Sequence, residues 1–116
     1  MKKIDLIIIS YNRVIELKET IDNVLRYKSS LNKIFIIDNN STDETELFLK
    51  SLDDDIFYII YSAENLGVAG GRNLGIKKSK ADILVFLDDD AIFNIQKENP
   101  FSLVMREFNN DSNLGI

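Results

Sequence analysis

Two runs of three consecutive carboxylates stand in the chain, Asp53-Asp54-Asp55 within SLDDDIF and Asp88-Asp89-Asp90 within FLDDDAI. Two carboxylates ~5 Å apart at an effective dielectric constant of ~20 repel by about 3 kcal/mol, a cost that a divalent cation reverses. Hard cations such as Mg2+ take oxygen ligands and often share them with substrate phosphates. The alternative for each run is a solvated turn. Four of the five glycines fall in one further stretch, NLGVAGGRNLGI: Gly67, Gly70, Gly71 and Gly75. Each costs a helix about 1 kcal/mol relative to alanine, so something must approach that backbone closely. It is either a phosphate, drawn by free N–H groups, a helix dipole and Arg72, or a sheet packed tightly beneath the helix.

Composition narrows the chemistry. The 116 residues contain no Cys and no His, which removes disulfides, thiolate or imidazole zinc sites, and every Ser-His or Cys-His pair. Any metal must therefore be held by oxygen. Fourteen Lys plus Arg against nineteen Asp plus Glu give a net charge of −5, the wrong sign for a nucleic-acid partner. The opening MKKIDLIIIS is interrupted by Asp5 and lacks a cleavage site, and no stretch approaches the ~20 apolar residues of a spanning helix. The chain is read as one cytoplasmic domain.

The elements that must position these residues follow from periodicity. Four continuously apolar runs, Ile4 to Ile9, Ile34 to Ile37, Ile56 to Ile60 and Ile83 to Leu87, read as parallel strands buried on both faces. Val14, Leu17, Ile21, Val24 and Leu25 form one helical stripe between the first two. A second helix runs through Leu47, Phe48 and Leu52, capped by Ser41 or Thr42 with Asp43 and Glu44 in its first turn. A third occupies Ala69 to Ser79, and a fourth begins at Asn99-Pro100. The order predicts a doubly wound, mostly parallel α/β sheet with helices on both faces. The terminal DSNLGI reads as a turn into another strand, so a piece of something longer is expected.

Topology separates the acidic runs. Right-handed crossovers put all strand C-terminal ends on one edge, where ligands of open α/β sheets bind. Asp53 to Asp55 precede the third strand and belong to the opposite edge, as a solvated turn. Asp88 to Asp90 close the fourth strand on the ligand edge. Also on that edge are Ser10-Tyr11-Asn12-Arg13 and Asp38-Asn39-Asn40-Ser41-Thr42-Asp43. Tyr11 can offer a ring to a nucleobase and Asp38 can accept from a base or ribose, although packing accounts for Tyr11 and turn and cap chemistry for Asn39 to Asp43 equally well. With Gly67 at the helix start, Arg72 and the acids, the edge suits a nucleoside diphosphate and its cation. The glycines match neither the dinucleotide fingerprint nor a phosphate loop ending in Lys-Ser or Lys-Thr.

In this order and at these separations, IIISYNR, IIDNNSTDET, NLGVAGGRNLGI and ILVFLDDDA closely resemble the N-terminal half of family-2 glycosyltransferases of the Rossmann-like GT-A fold, over about residues 3 to 95. The resemblance implies the nucleotide-sugar-binding portion of an inverting enzyme, truncated at its C-terminus. It implies Asp90 as the principal ligand of Mn2+ or Mg2+, with Asp88 at the ribose or the metal and Asp89 turned away. It further implies Asp38 at the base, Ser10 and Tyr11 framing the nucleoside, and Arg72 near the base or diphosphate. The donor would be a UDP-sugar first, with GDP- and dTDP-sugars as alternatives, and the acceptor a glycan or lipid-linked hydroxyl. The catalytic base and acceptor pocket belong to the family's second half, so these residues alone are expected to bind the donor weakly, if at all, and not to turn over, and the longer protein could sit at the inner face of a membrane. Three rival readings remain: a non-catalytic nucleotide-binding module; a receiver domain, which needs acids after the first strand and a lysine after the fifth; and a nucleotidyltransferase, whose glycine loop follows the first strand rather than the third.

Overall fold

The computed structural model describes residues 2–94 and 99–110. Its strands are β1 (Ile4–Ser10), β2 (Lys33–Asp38), β3 (Phe57–Tyr61) and β4 (Ile83–Asp88). Between and after them run α1 (Val14–Leu25), α2 (Thr45–Lys50), α3 (Gly67–Lys78) and α4 (Pro100–Asn110), with one 3-10 turn at Lys28–Ser30. The strands form one all-parallel sheet in the order β3-β2-β1-β4. The chain steps outward from β1 through β2 to β3, then returns across β1 to lay down β4. Since crossovers between parallel strands are right-handed as a rule, reversing the direction of travel moves the connecting helix to the other face. Hence α1 and α2 cover one face, joined by α4, while α3 covers the other. The reversal makes the β1/β4 boundary the topological switch point, where a crevice opens at the strand C-termini.

Packing follows this division. Leu6 and Ile8 of β1 and Ile34 and Ile36 of β2 meet Leu17, Ile21 and Val24 of α1, Leu49 of α2 and Phe101 of α4. On the other face Ile7, Phe35 and Ile37 meet Leu74 of α3, with Ile9, Ile60 and Phe86 beside them. The α1 stripe is thus the one its periodicity predicts. So is the start of α4, where Asn99 Oδ1 accepts from the Phe101 N–H at 2.9 Å and Pro100 takes the first helical position.

Three expectations need correction. Burial on both faces holds for β1 and β2 but not for β3 or β4, which lie outermost among the described strands. Tyr58 and Tyr61 of β3 are exposed, and β4 is fully buried only at Ile83: glycine-rich α3 offers Tyr58 few side chains, whereas Tyr61 lies on the opposite face beside Lys50 of α2, whose ammonium is 5.8 Å from its ring centre. Helix α2 begins at Thr45, since Ser41 to Glu44 are drawn into a loop that binds the end of β1. Helix α3 begins at Gly67, two residues earlier than its pattern suggests. The terminal DSNLGI lies outside the described residues.

Candidate functional site

At the end of β1, Asn12 takes the left-handed conformation (φ 51°), which asparagine tolerates better than most residues. Its side-chain oxygen accepts from the Thr42 N–H at 2.6 Å and the Asp43 N–H at 3.2 Å, and its own N–H donates to Ser41 Oγ at 3.0 Å. Asp43 then serves two helices. Oδ2 accepts from the Val14 N–H at the start of α1 (3.1 Å), and Oδ1 from the Thr45 N–H at the start of α2 (3.0 Å). Burial pushes the Asp43 carboxyl up, but the bonds from the Thr45 hydroxyl and N–H and the Val14 N–H outweigh it and hold the group below the usual range. Asn39, almost fully buried, ties the end of β2 to the start of α3. It donates to Gly67 O at 2.9 Å and accepts from the Leu66 N–H at 3.0 Å.

Above this scaffold lies a cleft of about 440 Å³ at the switch point. Of the residues singled out from the sequence, Tyr11, Gly67, Arg72, Asp88 and Asp90 line it. Ser10 and Asp38 are buried at the sheet edge, paired with each other in register. Asp38 Oδ1 accepts from the Ser41 N–H at 3.0 Å, while buried Ser10 Oγ has no hydrogen-bond partner among the described residues.

The glycines resolve by position. A Cβ on Gly71 would lie 3.0 Å from Ile9 Cγ2, and one on Gly75 3.0 Å from both Cδ1 and Cγ2 of Ile7. The sheet, not a phosphate, is what approaches the backbone there. Gly67 differs: its φ is +72° and a Cβ would meet nothing. The N–H groups of Leu66 and Gly67 already donate to Asn39 and Asn65, and Arg72, whose guanidinium lies 4.8 Å from the Phe86 ring centre, adds a full positive charge at this helix start.

The acidic run is organised differently from the expectation. Asp89 turns inward, its side chain only 13% exposed, and Oδ2 accepts a long 3.4 Å bond from the Tyr11 N–H. Burial raises its pKa, opposed by that N–H and by Arg13. Arg13 Nη1 lies 3.9 Å from Asp89 Oδ1 and donates to Asp90 Oδ2 at 2.7 Å. Two polar residues on the buried face of α1 hold the backbone beyond. Thr20 Oγ1 lies 3.0 Å from Asp89 O and 2.9 Å from Ala91 O, and Asn23 exchanges two hydrogen bonds with the Phe93 backbone. The sequence places Arg13 on this edge without giving it a role, and it does not single out Thr20 or Asn23. Their signals were there: an acidic run needs a nearby cation, and positions 20 and 23 put polar side chains inside an apolar stripe. Among the described residues no group of three or more acids converges as a ready-made metal cage.

The other acidic run lies on the opposite edge, as topology predicts. Asp54 pairs with Lys28 at 2.6 Å and accepts from the Ile56 N–H at 2.9 Å; the Lys28 bond above all holds its carboxyl below the usual range.

Residues 5–112 match the model of Glycosyl transferase family 2. The chain belongs to that family. Among family relatives, an uncharacterized protein of Haemophilus influenzae is 41% identical over 92 residues, 76% of this chain and 50% of that protein. The poly-beta-1,6-N-acetyl-D-glucosamine synthase of Staphylococcus aureus is 31% identical, over 99% of this chain and 27% of the synthase. The family-2 chain therefore spans half of one relative and about a quarter of the other. In fold it is similar to S. aureus TarS 1-349 (TM-score 0.79, 18% identity, 95% of this chain and 33% of that one). It is also similar to the mannosyltransferase PcManGT of Pyrobaculum calidifontis, solved with GDP-Man and Mn2+ (TM-score 0.69, 23% identity, 82% and 29%). The doubly wound GT-A architecture expected from the sequence is the one observed. No described helix is long and apolar enough to cross a membrane.

Proposed function

We propose that this family-2 domain is the donor-binding part of a metal-dependent glycosyltransferase, moving a sugar from a nucleoside diphosphate to an acceptor hydroxyl with inversion. The supporting observation is the cleft at the β1/β4 switch point, where Asp88 and Asp90 face Gly67 and Arg72 with Tyr11 beside them. The donor set fits a hard cation held by one or two carboxylates and completed by substrate phosphates, the usual habit of Mg2+. It does not fit a cation caged by protein alone. When bound, the cation supplies Lewis-acid stabilisation of the departing diphosphate. Asp88 and Asp90 would hold it, Arg72 would add positive charge on the α3 side, and the exposed Tyr11 ring would offer a face to the base. Asp38 acts from below, bracing the β2 loop through Ser41. A carboxylate base and the acceptor pocket, for a glycan or lipid-linked hydroxyl, belong to a further part of the longer protein. The solved GDP-Man and Mn2+ complex of a neighbour supports a nucleotide sugar and a divalent ion. UDP-sugars are the first choice of donor, with GDP- and dTDP-sugars tested beside them.

Thermal stabilisation by UDP-, GDP- and dTDP-sugars with and without Mn2+ tests the proposal, because a ligand that binds the native state raises the melting temperature by mass action. At least one donor should give a Mn2+-dependent rise. Asp88→Asn with Asp90→Asn should abolish it, and Asp53→Asn with Asp55→Asn should leave it intact. A shift that survives the first pair, or fails with every donor, refutes the reading.

A further inference from the structure

The positive charge nearest the acidic run comes from the chain itself. Arg13 Nη1 lies 2.7 Å from Asp90 Oδ2 and 3.9 Å from Asp89 Oδ1, so the guanidinium occupies the carboxylate offered above to a cation. Arginine cannot be deprotonated in a protein, so this occupant leaves only by exchange. Two features make exchange easy. The pair is half exposed on both sides, at 50% and 49%, which places it among ion pairs of small net worth. The Arg13 backbone is also fixed independently of its side chain, since its carbonyl accepts from the Leu17 N–H at 2.8 Å. A guanidinium released from Asp90 thus stays tethered at the rim of the cleft that it lines together with Arg72. Its planar fork matches phosphate oxygens.

We propose that Arg13 is an internal countercation that competes with the divalent ion for Asp90 and, once displaced, binds the diphosphate of the donor. Metal and nucleotide are then linked through one side chain. Without the metal Arg13 offsets the charge of Asp90 and part of that of Asp89, the metal frees the guanidinium, and the nucleotide captures it. The inference rests on the reading of Asp88 and Asp90 as the cation's ligands, and the experiment separates the two.

Mn2+ binding is measured by calorimetry on the purified chain without nucleotide, for the wild type, Arg13→Gln and Arg72→Gln. Arg13 makes no side-chain cap bond to α1, so its replacement leaves the fold intact, which circular dichroism checks. Losing the competitor should tighten Mn2+ binding by up to about fivefold, the range of exposed ion pairs. Arg72→Gln removes the same charge from the same cleft but from a guanidinium that stacks on Phe86, and should change Mn2+ affinity less. With Mn2+ saturating, Arg13→Gln should weaken whichever of UDP, GDP or dTDP the wild type binds. Equal Mn2+ affinity in all three proteins overturns the role of Arg13 and leaves the metal site standing. Equal tightening in both variants shows a general field and overturns it too. Unchanged nucleotide affinity removes the second half of the proposal, and no Mn2+ binding by any variant removes both the proposal and the metal reading.

Discussion

Gly75→Ala separates the two explanations for a glycine-rich helix on a sheet. The new Cβ would sit 3.0 Å from both Cδ1 and Cγ2 of Ile7, against the ~3.5–4.0 Å of an unstrained carbon contact. Ile7 cannot give way easily: it is fully buried on central β1, in the same cluster as Phe35 and Ile37. Overpacking of this kind costs ~1–3 kcal/mol, and exchanging glycine for alanine in a helix returns ~1 kcal/mol. The net expectation is a loss of about 1 kcal/mol in urea unfolding. Ile7→Val removes Cδ1, one of the two closest atoms, so the double variant should be less destabilised than the sum of the singles by ~0.5–1 kcal/mol, the size of coupling between touching residues. The Mn2+-dependent thermal shift should survive in all three proteins. If Gly75→Ala keeps full stability and loses the ligand response, the backbone faces a ligand rather than Ile7, and the packing argument fails.

Two predictions concern the scaffold below the cleft. Asp43→Ala removes a cap from two helices at once; with each worth ~0.5–2 kcal/mol and the carboxylate exposed, the loss at neutral pH should be about 1–3 kcal/mol. Because the folded Asp43 pKa is lowered, its contribution is complete above the unfolded value of ~3.9 and disappears as pH falls through the folded one, so wild type and variant should converge in acid. A constant gap across the acid range in urea titrations would show that the carboxylate charge plays no part. Asn39→Ala leaves the Leu66 N–H without its partner and removes the second bond on the Gly67 carbonyl, at ~1–3 kcal/mol, and should speed amide hydrogen exchange at the start of α3 while weakening nucleotide binding. Unchanged exchange there would show that Asn39 does not hold the helix start.

How far the sequence reached depends on the range of the interaction that decides each feature. Strand identity, order of elements and the edge of each acidic run follow from local periodicity plus the handedness of crossovers, so both LDDD runs could be placed before any coordinates. The glycines were ambiguous because a backbone that tolerates close approach does not say what approaches it. Only the seating of α3 on Ile7 and Ile9 decides, and that depends on long-range registry. Asp89 was expected to turn away, yet it turns in. Its direction is set by the Tyr11 N–H and by Thr20 holding its carbonyl, partners 78 and 69 residues distant in sequence that no local pattern brings together. Burial of Asp38 and Ser10 has the same origin, since each strand end is covered by its neighbour's loop.

The scaffold also shows how a chain without histidine or cysteine builds a rigid binding edge. Each of Asn12, Asn23 and Asn39 spans two elements distant in sequence, using a side-chain carbonyl as acceptor and a backbone or side-chain N–H as donor. An amide placed this way, buried at Asn23 and Asn39 and exposed at Asn12, satisfies backbone groups that strand ends and helix starts leave open, at no cost in charge. Carboxylates share that work, Asp43 at two helix starts and Asp38 through Ser41, while Arg13 pairs with Asp90 at the exposed rim. A metal is not required to hold the loops together, because the amides already do so. Cation removal should therefore cost ligand affinity and leave the fold in place, which distinguishes this cleft from a structural metal site, where chelation unfolds the domain.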